Sequence, residues 1–106
     1  MVQPTHPRAR RYPFVAAVEL TAVESNSILK EKTKDLSLYG CHVATKTPWA
    51  AGTKVRIRIS HLGASFAALG TVAHSHAGAG MGIAFTRIGP NEQALLDSWI
   101  AGLRDH

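Results

Sequence analysis

The strongest constraint on the fold is the run Lys54-Val55-Arg56-Ile57-Arg58-Ile59-Ser60. Charged and apolar residues alternate without a break. Only an extended chain puts successive side chains on opposite faces, so Val55, Ile57 and Ile59 read as a dry face and Lys54, Arg56 and Arg58 as a wet one. Such a strand needs neighbours on both edges and a second layer over its dry face. The same period recurs where Val18 and Leu20 alternate with Glu19 and Thr21, and again at Met81, Ile83 and Phe85. Ile28 to Asp35 reads as a polar strand with Lys30, Lys32 and Lys34 on one face, and Gly40 to Thr45 and Phe66 to His74 complete the set. Turn signals separate them at Ser25-Asn26-Ser27, Pro48 with Ala51-Gly52, Leu62-Gly63-Ala64 and Gly78 to Gly80. Six short strands at roughly ten-residue spacing predict a small antiparallel barrel or sandwich.

The two ends break this pattern. Residues 1–13 hold Pro4, Pro7 and Pro13 with Arg8, Arg10 and Arg11, which predicts a flexible basic leader. Residues 14–106 form the folded domain. Near its end, Gly89-Pro90 introduces a helix over about Asn91 to Leu103, with Pro at the first helical position and Glu92 in the first turn. Leu95, Leu96, Trp99, Ile100 and Leu103 make one apolar stripe that should cover an open side of the barrel.

Composition narrows the class of protein. The chain has 106 residues, of which 45% are hydrophobic and 18% charged, so it can bury a core of its own. A net charge of +5 favours anionic partners without naming one. The single Cys41 excludes an internal disulfide and suits a reducing compartment. There is no apolar signal-like segment at the start and no run of 18 apolar residues, so the expectation is a cytoplasmic, stand-alone domain with no membrane insertion.

Two segments carry candidate chemistry. Arg8-Ala9-Arg10-Arg11-Tyr12-Pro13-Phe14 offers planar, always-charged forks suited to phosphates and purine faces. Asp35-Leu36-Ser37-Leu38-Tyr39-Gly40 offers an acceptor, a hydroxyl and an exposed backbone in a tight turn. The candidate ligand-binding residues are therefore Arg8, Arg10, Arg11, Asp35, Ser37 and Gly40. The structural alternative is equally specific: Asp and Ser would cap local amides and Gly40 would supply a positive φ.

With these motifs in this order, the chain resembles the PilZ domain family over about Arg10 to Leu103. The turn matches the family's [D/N]-x-S-x-x-G in full, and Gly80-Met81-Gly82-Ile83-Ala84-Phe85 is similar to its glycine-rich late strand. The resemblance implies an all-β fold with one C-terminal helix, a six-stranded antiparallel barrel. It also implies cyclic di-GMP as ligand, held by an R-x-x-x-R pair ahead of the first strand and by the turn. That pair is incomplete here. Counted from Arg10 its second arginine is Phe14, and the registers from Arg8 and Arg11 give Tyr12 and Val15. On this reading Phe14→Arg would rebuild the pair and tighten binding.

The function expected from the resemblance is a cyclic di-GMP receptor or effector of second-messenger signalling. It acts in trans on an unidentified effector protein, and its ligand binding is weakened. The alternative is a ligand-independent adaptor of the same fold, working through protein contacts such as those of pilus or motility machinery. No specific nucleic acid is expected, because the aromatics are too few to interleave with the basic strand face. No metal and no cofactor beyond the suspected ligand are implied: His74 and His76 lie at i, i+2 without a spaced third ligand, and Cys41-His42 has no partner motif. No nucleophile–base pair or paired carboxylates can be argued, so no enzyme is expected. Cys41 reads as a small core residue, and Trp99 as core.

Overall fold

The computed structural model describes residues 10–105. In chain order the elements are β1 (Tyr12–Pro13), β2 (Ala17–Ala22), β3 (Ile28–Leu36), β4 (Gly40–Ala44), β5 (Lys54–His61), β6 (Ala64–His76), β7 (Gly80–Arg87) and α1 (Pro90–Arg104). The sheet runs β1-β3-β2-β5-β6-β7-β4, and β4 pairs back onto β3. All pairings are antiparallel. Six strands therefore close into a barrel, which leaves no long open edge to solvent or to another chain.

The alternating runs turn their apolar sides inward. Val55, Ile57 and Ile59 are buried with Val18, Leu20, Phe66, Val72, Met81 and Ile83, while Lys54, Arg56 and Arg58 are exposed. The helix begins at Pro90 and lays Leu96 and Ile100 into the core, with Leu95, Trp99 and Leu103 packed against it. Gly89 at its N-cap makes no side-chain cap. Glu92 in the first turn instead accepts a bond from the Ala67 N–H at 2.6 Å, which ties the start of the helix to β6.

The seventh strand is the departure from the six expected. Tyr12 and Pro13, read from sequence as leader, pair with Leu36 and Asp35 beside β2 on the same edge of β3. Between β1 and β2 the chain bulges, and the buried Thr33 hydroxyl bridges the gap. It donates to the Phe14 carbonyl at 2.6 Å and accepts from the Ala16 N–H at 3.0 Å. The Thr33 N–H bonds the Ala16 carbonyl and the Phe14 N–H bonds the Lys34 carbonyl, so every bulged polar group named here is paired.

Candidate ligand-binding site

The turn from β3 to β4 builds one wall of the site. The Ser37 N–H donates to the Gly40 carbonyl at 2.8 Å, and the Ser37 Oγ accepts from the Tyr39 and Gly40 N–H groups at 3.1 and 3.2 Å. Ser37 is buried, so its hydroxyl is committed to holding the turn. The chain at Tyr39 crosses to β7, where the Tyr39 carbonyl accepts the Phe85 N–H at 2.8 Å.

Gly40 is needed for a reason other than the expected positive φ, which occurs at Gly52, Gly63, Gly78 and Gly80 instead. A Cβ at Gly40 would lie 2.1 Å from the Ile83 carbonyl oxygen. Only glycine lets β4 close on β7 there.

Asp35 stands at the mouth of this turn. Its Oδ1 accepts from the Arg11 Nη1 and from the His42 N–H, each at 3.1 Å. Arg11–Asp35 is the one ion pair among the described residues, with side chains 50% and 27% exposed. The carboxylate thus fixes both the β4 backbone and the arginine that directly precedes β1.

A cavity of about 480 Å³ opens beside this pair, lined by Arg11, Ser37, Tyr39, Gly40, Ala73, His74, Gly82, Ile83 and Ala84. Of the candidates named from sequence, Arg11, Ser37 and Gly40 line it, and Asp35 reaches it through Arg11. Arg10 does not: its guanidinium sits 5.5 Å from the Tyr12 ring centre. Arg8 lies outside the described residues, as does the leader up to residue 9.

His74 is exposed, as a surface histidine should be, but it also lines the cavity, a placement its spacing in sequence does not reveal. Its imidazole lies over Gly82, where a Cβ would meet the ring at 2.2 Å. His42 stacks beside it with ring centres 5.9 Å apart, and His76 flanks the other side at 5.5 Å. Burial pulls the His42 pKa down, with Lys34, His74 and Arg11 reinforcing and Asp35 opposing. The signal was the late-strand Gly-x-Gly opposite a His-x-His, which pair as His74↔Gly82 and His76↔Gly80. Among the described residues no group of His, Cys, Asp or Glu is placed to hold a metal ion. Cys41, next to the turn, is fully buried, and burial with the Asp35 charge pushes its thiol up to about 12. It is a core residue rather than a nucleophile.

Phe14 points the other way. It is 5% exposed, with ring centres 4.6 Å from His61 and 5.6 Å from Trp99. Trp99 also faces Phe66 at 6.3 Å. Position 14 therefore feeds the core beneath the helix, not the cavity. The expectation that Phe14→Arg rebuilds a clamp is corrected accordingly: a guanidinium there would enter an aromatic cluster.

The PilZ domain family matches residues 5–102. A search by sequence among curated proteins gave no match. Among solved structures, the chain is similar to the PilZ domain of YcgR from Escherichia coli, solved with c-di-GMP. The two share a TM-score of 0.74 at 16% identity, over 95% of this chain and 93% of that one. It is similar also to the PilZ domain of CeSA from a cellulose-synthesizing bacterium, at TM-score 0.69 and 23% identity, covering 90% of this chain and 98% of that one. A third, the Bacillus subtilis inhibitor of motility MotI (DgrA), has TM-score 0.73 and 14% identity over 91% of this chain, which spans 50% of MotI. At these identities the structural likeness speaks for the fold.

Proposed function

The chain belongs to the PilZ domain family, and from that premise we propose that it is a cytoplasmic cyclic di-GMP receptor with weakened affinity, acting in trans on a protein partner. The observation that supports this most is Arg11 held by Asp35 on the rim of the cavity beside the Ser37–Gly40 turn. An always-charged fork in a fixed position is suited to a phosphate or to a guanine edge. His74 adds a flat ring to the same lining, fit to stack on a base.

Affinity is reduced because the second arginine of the family pair is absent and Phe14 is withdrawn into the core. One lost charge-assisted fork costs about 1.5–3 kcal/mol, or roughly tenfold to hundredfold in Kd. The same withdrawal favours a second reading, a ligand-independent adaptor of PilZ fold. Isothermal titration with cyclic di-GMP separates them. Saturable heat that disappears in Arg11→Ala supports the receptor; no heat at millimolar ligand with a folded protein supports the adaptor.

A further inference from the structure

A second cavity, of about 690 Å³, shares no lining residue with the one beside Arg11. It lies on the outer face where β2, β5 and β6 meet the link from β7 to α1, and its cations are Arg56, Arg58 and Arg87. We propose that this groove is the surface through which the protein engages its partner, and that it takes an acidic peptide segment carrying an apolar residue between carboxylates.

Register supplies the geometry. Arg56 on β5 and Arg87 on β7 are both cross-strand partners of Leu69 on β6. The two arginines thus flank Leu69 at two strand spacings, about 9–10 Å apart. Leu69 is 40% exposed, so it offers an apolar floor between two guanidinium groups. One level along, Arg58 pairs with Ala67, whose small side chain leaves depth beside Gly89 and Pro90.

The cations of the lining outnumber its acids. Among the described residues Arg56, Arg58 and Arg87 enter no ion pair. Thr21 continues the row on β2, and Glu19 is the one acid in the lining, set in register between Lys30 and Arg58. Arginine is well suited to such a role: it is weakly hydrated, always charged and bidentate toward carboxylates. A nucleic acid fits the groove less well, since it wants a longer basic track and stacking rings, and no aromatic residue lines it.

The occupant rests on the trans-acting reading above, whereas the groove itself is independent of cyclic di-GMP. The test is amide and arginine-side-chain NMR on the full chain, titrated with a blocked Glu-Leu-Glu-Leu-Glu peptide. A Lys-Leu-Lys-Leu-Lys peptide and a short single-stranded DNA serve as controls. Saturable shifts confined to Thr21, Arg56, Leu69, Arg87 and Ile88, with the acidic peptide only, are expected. Arg56→Gln and Arg87→Gln should each weaken that binding about threefold to tenfold, and Glu19→Gln should strengthen it. Shifts scattered over the surface, no saturation, or equal response to the DNA overturns the proposal. Cyclic di-GMP added separately reports at Gly40 and Gly82, so a failure of the ligand reading shows in different signals from a failure of the groove.

Discussion

The ring of Phe14 lies 5.6 Å from the indole of Trp99, joining the segment before the first barrel strand to the C-terminal helix. His61 completes the contact, 4.6 Å from Phe14 and 5.4 Å from Trp99. Without this cluster Trp99 would keep only Phe66, 6.3 Å away, as an aromatic neighbour, and the helix would lose its tie to the segment before β2. Phe14→Ala should therefore cost about 3–5 kcal/mol, the usual range for a buried aromatic. Phe14→Arg should cost at least as much, since a charge would be buried without a partner. Chemical denaturation reads both. A midpoint equal to wild type for Phe14→Arg would mean that the side chain escapes to solvent and that the cluster is not a support.

Two glycines separate backbone need from side-chain room. At Gly40 an added Cβ meets the Ile83 carbonyl oxygen at 2.1 Å, and relief requires β4 and β7 to part. At Gly82 the obstacle is the His74 imidazole, which can rotate away. Gly40→Ala should destabilise the domain by more than about 3 kcal/mol, while Gly82→Ala should cost about 1 kcal/mol and unstack His74 from His42. Thermal melts of the two variants test the ranking, and His42 and His74 ring resonances test the unstacking. Equal melting losses would refute the distinction.

These contrasts also show what a sequence can carry. The strands around Val55, Ile57 and Ile59 and the stripe from Leu95 to Leu103 are legible because their cause is local: burial repeats with the period of the element. The turn of Asp35, Ser37 and Gly40 is legible as a motif, and so is the capping of backbone amides by Asp35 and Ser37, but the reason for Gly40 is not. Whether Gly40 is required by φ or by a neighbouring carbonyl depends on Ile83, more than forty residues away in the chain. Likewise the choice between Arg10 and Arg11 as the inward arginine follows from the pairing of Tyr12 with Leu36, which no spacing rule encodes. In the sequence Phe14 reads as a missing arginine, and only Trp99 and His61 across the fold explain what it does.

Acidification should weaken the fold through His42. Burial lowers its pKa, helped by Lys34 on β3, His74 on β6 and Arg11, and opposed by Asp35. A histidine whose folded value lies below its unfolded one binds its proton more weakly when folded. Its contribution is therefore full above the ordinary imidazole value of about 6.5, and is lost as pH falls through that value toward the lowered folded one. Urea midpoints should drop between about pH 7 and 5, and His42→Gln should flatten that slope. A variant whose midpoints track wild type in parallel would remove His42 as the source.

The ligand site makes the most discriminating demand on Arg11 and Arg10. Arg11 lines the cavity and is held by Asp35, while Arg10 is set over the Tyr12 ring. If cyclic di-GMP binds where proposed, Arg11→Ala should lower affinity about tenfold to hundredfold by removing a charge-assisted fork. Arg10→Ala should change it by less than about threefold. Neither should unfold the domain, because an exposed ion pair contributes at most about 1 kcal/mol. Asp35→Asn is the informative third variant. It leaves an acceptor for the His42 N–H but takes away the charge that positions Arg11, so affinity should fall while the turn persists. Titration calorimetry measures the affinities, and a thermal melt confirms the fold of each variant. Equal losses in Arg10→Ala and Arg11→Ala would point to a ligand held by general positive charge, and the pocket beside the Ser37–Gly40 turn would no longer be the place to look for it.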